Sequence, residues 1–379
     1  MKNDTAKKAL ALHKKLGGKI RVMPAVPVRN RVDLSLVYTP GVAAVSSFIA
    51  KNPKLARHYT IKGRMVAVIS DGSAVLGLGN IGPLGALPVM EGKAALFKTF
   101  ANVDAIPIVL DTQSVDEIVK TVIAIAPTFG GINLEDISAP RCFEIERRVI
   151  EALDIPVMHD DQHGTAIVVL AGLINAFKVV DKKIEKVKIV ISGAGAAGTA
   201  IAKLLKLAGA FDITVLDSKG IIGPWRTDLT THKKELAMFT MSHRSEGGLK
   251  DALKGADVLI GVSGPGLATA GDIKTMAPKA IVFALANPTP EIMPEEAKKG
   301  GAMVIATGRS DFPNQINNSL AFPGIFRGAL DHQVRRITDE MKLKAAKAIA
   351  GLVKNPTATK IVPDMFDKKV PLAVAKVIR

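Results

Sequence analysis

Val187-Lys188-Ile189-Val190-Ile191-Ser192-Gly193-Ala194-Gly195-Ala196-Ala197-Gly198-Thr199-Ala200-Ile201-Ala202-Lys203-Leu204-Leu205 is the stretch that decides the fold. It opens as an apolar run of strand length and closes with helical composition, and a Gly-x-Gly-x-x-Gly turn joins the two. In that context the first glycine permits the tight turn and the second lets backbone approach a pyrophosphate. The third lets helix pack on strand, while the helix N-terminus attracts phosphate. Gly193, Gly195, Ala196, Ala197 and Gly198 are therefore expected to seat a dinucleotide. Asp217 ends the next apolar run, Ile213-Thr214-Val215-Leu216, where an acid bonds the adenosine ribose.

Outward from this unit, apolar runs alternate with helical stretches, which predicts parallel-sheet α/β architecture. Met65–Ser70 and Ile106–Leu110 read as buried strands of a first domain; Asp257–Val262, Ile281–Leu285 and Met303–Ala306 continue the second. Thr165–Phe177 is too long and alanine-rich for a strand and reads as a buried helix. Arg335–Lys354 reads as an amphipathic terminal helix packing back on the body. The expected division is an α/β substrate and metal domain over residues 1–163, then a doubly wound Rossmann-type domain with C-terminal helices over 164–379. A second match, Gly77-Leu78-Gly79-Asn80-Ile81-Gly82, is separated from its strand by Ser70–Leu76 and followed at once by Pro83. It reads as a glycine-rich active-site loop, although Asp104 stands where a ribose-binding acid would.

The chain of 379 residues carries a formal charge of +16, yet its lysines are dispersed and aromatics make up only 4%, so no stacking platform for nucleic acid is expected. The single cysteine, Cys142, excludes an intrachain disulfide and a cysteine-based zinc cage. The basic N-terminus leads into no apolar signal core, and no stretch looks close to the roughly 20 apolar residues of a bilayer span. These features predict a cytoplasmic protein without membrane partners.

Two acidic pairs remain. Leu134-Glu135-Asp136-Ile137 follows an apolar segment, and His159-Asp160-Asp161-Gln162-His163-Gly164 opens the buried helix. Either pair alone is explained by a helix cap or a solvated loop. Converging, they would repel one another unless a cation intervened, and hard oxygen ligands favour Mg²⁺ or Mn²⁺. Taken singly, Lys93 passes for a surface lysine, Tyr38 for a half-buried structural residue, and Asn287 before Pro288 for a strand end.

At these residues the chain resembles the malic enzymes, in their short prokaryotic form. The resemblance runs through Tyr38-Thr39-Pro40-Gly41-Val42, Gly77 to Gly85, Glu91-Gly92-Lys93 and Glu135-Asp136. It continues with Asp160-Asp161-Gln162-His163-Gly164-Thr165-Ala166, Asp217-Ser218-Lys219-Gly220, Asn287-Pro288-Thr289 and Asn317 to Gly324. It implies oxidation of L-malate by NAD⁺ or NADP⁺, with loss of carbon dioxide to give pyruvate. By the same resemblance Lys93 is the general base, which a lysine can be only where burial or a neighbouring cation lowers its pKa toward neutrality, and Asp160 is the carboxylate that positions it. Tyr38 is the acid that protonates the enolate. Glu135, Asp136 and Asp161 ligate Mg²⁺ or Mn²⁺, Asn287 and Asn318 contact substrate, and Asn287 also contacts the nicotinamide ribose. A homodimer is implied, with Tyr38 and Lys93 reaching into the partner's site.

One departure stands out. Longer relatives carry an arginine just before the glycine-rich loop, where this chain reads Ser73-Ala74-Val75. The malate carboxylates must be held by other groups. Lys219 beside Asp217 leaves the choice between NAD⁺ and NADP⁺ open. The residues without the resemblance also admit a two-domain dehydrogenase that neither binds metal nor decarboxylates, or a non-catalytic nucleotide-binding or nucleic-acid-binding module.

Overall fold

A computed structural model describes residues 2–240 and 246–379. The first sheet contains β1 (Met65–Ser70), β2 (Asp104–Val109), β3 (Gly131–Leu134) and β4 (Val157–His159), all parallel in the order β2-β1-β3-β4. Every residue of β1 is buried, as expected of a parallel strand covered on both faces. The sequence pattern anticipates β1 and β2 but not β3 and β4. Gly131-Ile132-Asn133-Leu134 interrupts its apolar run with a buried asparagine, and β4 is too short for a periodic signal.

The second sheet contains β5 (Lys188–Ser192), β6 (Asp212–Asp217), β7 (Gly220–Ile221), β8 (Val258–Gly261), β9 (Ile281–Ala284) and β10 (Val304–Thr307). Its order is β10-β9-β8-β5-β6-β7, so the chain reverses direction across the sheet between β5 and β8, the switch point where such sheets bind ligands. The expectation of a parallel sheet needs one correction. β7 is antiparallel to β6, because Gly220 turns the chain straight back after Asp217.

The helix Asp160–Val180 starts where β4 ends and carries the chain from the first sheet to the second. Its buried residues run from Asp160 to Val180, and Asn175 donates to Ala350 O and Ile361 O at 2.9 Å each. The helix predicted to be terminal spans Asp339–Gly351 and is followed by another, Lys369–Val377. The helix Phe322–Asp331 packs on Gly82–Ala101 through Phe97, whose ring meets Phe322 at 4.7 Å and Phe326 at 5.5 Å.

The expectation about membrane length also needs correction. Arg31–Lys51 and Asp160–Val180 both reach the length and hydropathy of a span, because a few polar residues do not offset so many apolar ones. The second is largely buried in the core. The first divides into helices Arg31–Val37 and Val42–Lys51, with an exposed apolar surface that includes Leu34, Leu36, Val37 and Phe48.

Candidate active site

The C-terminal ends of β3 and β4 lie side by side, since Leu134 pairs with His159. The residues that follow them, Glu135-Asp136 and Asp160-Asp161, are thereby brought together from positions far apart in the chain. Glu135, Asp136 and Asp161 each place a carboxylate oxygen within 4.8 Å of the others. The Asp136 backbone takes a positive φ of 53° and donates its N–H to Asp161 Oδ2 at 2.8 Å.

Lys93 enters from the helix Gly82–Ala101 and is buried. Its Nζ donates to Glu135 Oε1 at 2.6 Å and to Asp160, and lies 4.2 Å from the centroid of the Phe322 ring. Burial alone would lower the Lys93 pKa, but the carboxylates of Asp160, Glu135 and Asp161 outweigh it and hold the pKa raised. Three nearby anions favour the ammonium more than burial disfavours it, so the lowered pKa that a base needs has to come from a neighbouring cation. Both carboxylate partners of Lys93, Glu135 and Asp160, belong to its own chain.

The cluster carries more negative charge than Lys93 can balance. Burial, then Asp161 and Glu135, push the Asp136 carboxyl up to about 9. Burial pushes Asp160 to about 7 and Asp161 to about 6, although Lys93 pulls both down. Asp136 Oδ2 and Asp160 Oδ1 are buried without a hydrogen-bond partner. An orphaned carboxylate oxygen inside an all-oxygen donor set fits a hard divalent cation.

Several supporting residues were not singled out from sequence. Asn133 donates to Glu135 Oε2 at 2.9 Å, and its only signal was a polar residue inside an apolar strand. A Cβ on Gly164 would lie 1.8 Å from Asp160 Oδ1, so any side chain there displaces that carboxylate; the same point lies 3.2 Å from Asn318 Cβ, which sets Asn318 beside Asp160. Glu91 fastens the N-terminal segment, accepting the Lys19 N–H at 3.1 Å. Where longer relatives have the loop arginine, Ser73 is a buried joint, its Oγ donating to Asp71 at 2.6 Å and accepting the Ser138 N–H at 2.9 Å. The nearby guanidinium, Arg141, is engaged by Asp71 at 2.9 Å.

The glycine-rich loop crosses to the second sheet. A Cβ on Gly77 would lie 2.7 Å from Asn287 O and 2.9 Å from Pro288 Cδ, so this glycine permits the contact. Asn287 is half-buried at that contact. Asp104, the acid after this motif, pairs instead with Arg64 and Lys98.

Gly193 and Gly198 meet the expected steric demands. A Cβ on Gly198 would lie 1.8 Å from Gly193 O, and one on Gly193 2.6 Å from Val262 O. Around a Cβ on Gly195 there is open space, and Ala196 and Ala197 begin the helix Ala196–Leu207. Asp217 does not stand free for a ribose. Arg226 reaches it at 2.8 Å and Lys233 at 2.6 Å, cations that sequence spacing gave no reason to select. Tyr38 stands apart from this assembly, 66% exposed at the end of Arg31–Val37.

Comparison with known proteins gives a match to the malic enzyme N-terminal domain over residues 17–150 and to the malic enzyme NAD binding domain over residues 162–378. The NAD-dependent malic enzyme of Geobacillus stearothermophilus is 58% identical, over 94% of this chain and 74% of that protein. The NADP-dependent malic enzyme of Halomonas elongata is 49% identical, over 95% of this chain and 85% of that one. The crystal structure of the NAD-dependent malic enzyme from Thermotoga maritima superimposes with a TM-score of 0.95 at 50% identity, covering 98% of both chains.

Asp136→Asn should raise the melting temperature of the metal-free protein at neutral pH by a few degrees, because the raised carboxyl has to take up a proton on folding and asparagine does not. The same variant should lose the stabilisation that Mn²⁺ gives the parent. Thermal denaturation with and without Mn²⁺ checks both; a fall in metal-free stability would show that Asp136 is not under repulsion.

Proposed function

Because the chain belongs to the malic enzyme family, we propose roles for the residues gathered between its two sheets. The protein is an NAD(P)-dependent decarboxylating malate dehydrogenase that yields pyruvate and carbon dioxide. The observation that carries the reading is the seat of Lys93 between Glu135 and Asp160, beside the converged carboxylates.

Lys93, as the free amine, takes the proton of the malate C2 hydroxyl while hydride leaves C2 for the nicotinamide. Asp160 holds the lysine nitrogen in line. The bond from C3 to the C4 carboxylate then breaks, C4 departs as carbon dioxide, and its electron pair passes through C3 to the C2 oxygen. Tyr38 protonates C3 of the resulting enolate to give pyruvate. Glu135, Asp136 and Asp161 would hold a divalent cation, Mg²⁺ or Mn²⁺, which would supply positive charge to the substrate oxygens and offset the anionic field that keeps Lys93 protonated. Gly193, Gly195, Ala196, Ala197 and Gly198 seat the pyrophosphate. Asn287 and Asn318 orient malate, and Asn287 also meets the nicotinamide ribose.

The division of labour falls at residues 1–163 and 164–379. Tyr38 serves the neighbouring subunit of a homodimer, a reading supported by its exposure on an apolar segment that a second copy would cover. At the adenosine end, Asp217 is neutralised by Arg226 and Lys233, and Lys219 pairs with Asp228 at 2.9 Å. With Asp217 engaged, these cations suit the 2′-phosphate of NADP⁺, so the protein takes NADP⁺ as well as NAD⁺. The buried single cysteine fits a reducing cytoplasm.

Malate supplied with Mn²⁺ and NAD⁺ or NADP⁺ in parallel should yield reduced cofactor and pyruvate. Lys93→Ala should lower this turnover by at least about a thousandfold while reduced-cofactor binding is retained; parent-like turnover rules out the base. Lys233→Gln should cut the ratio of kcat/KM for NADP⁺ over NAD⁺ roughly tenfold, as loss of one phosphate contact predicts, and an unchanged ratio refutes the 2′-phosphate site. Dilution until sedimentation shows monomers should abolish activity; an active monomer excludes Tyr38 acting across the dimer.

A further inference from the structure

We infer that Glu146 is a positioning residue that fixes the direction of the Asp160 and Asp161 carboxylates, an inference that rests on the metal reading above. The helix Asp160–Val180 opens with two acids that do not cap it. Asp160 turns to Lys93, Asp161 turns to the Asp136 N–H, and the preceding residue, His159, makes no side-chain cap bond. A buried helix start needs acceptors for its N–H groups and favours negative charge there. With both local carboxylates committed to the site, that charge has to come from another element.

Glu146, buried on the helix Arg141–Ala152, supplies it. Its Oε1 accepts the His159 N–H at 2.7 Å. Its Oε2 accepts Gln162 Nε2 at 3.0 Å and lies 3.0 Å from His163 Nε2. These partners bracket the acidic pair, so one carboxylate pins the chain immediately before Asp160 and immediately after Asp161. Burial would raise the Glu146 pKa, but His163 and His159 outweigh it and bring it to about 2, so the clamp stays anionic.

The far end of the same frame reaches the other acidic pair. Arg141, at the start of the Glu146 helix, pairs with Asp71 at 2.9 Å, and Ala74, in the loop that Asp71 opens, donates its N–H to Asp136 O at 2.9 Å. The helix Arg141–Ala152 therefore braces Asp136 through its first residue and Asp160-Asp161 through Glu146. None of the Glu146 partners is itself a proposed ligand, so its action on the metal is through geometry.

Binding of Mn²⁺, followed by the electron paramagnetic resonance of the free ion, tests this against binding of reduced cofactor, followed by its fluorescence. Glu146→Gln should weaken Mn²⁺ binding roughly 10- to 100-fold, the range seen when a partner behind a metal ligand is removed, with reduced-cofactor affinity unchanged. Gln162→Met, close in shape but lacking the donor, should weaken it several-fold in the same direction, and decides the matter if Glu146→Gln does not fold. Parent-like Mn²⁺ affinity in the folded variants overturns the inference. So does an equal loss of cofactor affinity, which would mark a general loosening. A parent protein that binds no Mn²⁺ removes the ligand set itself, and this inference with it.

Discussion

Lys93 brings one positive charge into a space that holds the carboxylates of Glu135, Asp136, Asp160 and Asp161. The imbalance is the constraint around which the rest of the chain is arranged. Buried like charges repel strongly in a low dielectric, and such an arrangement persists only where surrounding structure enforces it. The enforcement is visible on every side: Asn133 on Glu135, the Asp136 N–H on Asp161, Phe322 against the lysine, and Glu146 behind the helix that carries Asp160 and Asp161. A fold that holds such repulsion gives up stability at the site, as active sites commonly do, and gains it back from a ligand of opposite charge.

Two architectural choices make the imbalance possible. Parallel β3 and β4 deliver both acidic pairs to one edge of the first sheet, and the helix Asp160–Val180 continues from that edge into the core of the second. The site is therefore anchored in both sheets, which lets loops of one reach the other. Gly77 of the glycine-rich loop rests on Asn287 and Pro288, while Asn318 sits beside Gly164 and Asp160. The glycine turn Gly193–Gly198 follows β5 at the switch point between β5 and β8.

Much of this was legible in the residues. The strand, the spaced glycines and the alanine-rich helix announce a dinucleotide fold, because each answers a local steric demand: Gly198 must lack a Cβ against Gly193 O, and β1 must be apolar to be covered on both faces. The converging acids were suggested by chemistry and named by resemblance. Neither Asn133 nor Glu146 was selected, since a lone asparagine in a strand and a glutamate in an Arg/Glu-rich helix carry no local signature of burial.

By itself the sequence determined much of the local geometry: the long apolar strands and helices, where glycine is obligatory, which residues carry the charge. Tertiary structure alone decided which charges meet. It turned Lys93 inward onto the carboxylates of Glu135 and Asp160, whose charges favour the ammonium. It also closed Arg226 and Lys233 on Asp217 and set β7 antiparallel. The physical reason is range. Backbone conformation and steric fit are settled among chain neighbours, whereas electrostatic environment is summed over residues that only folding brings together.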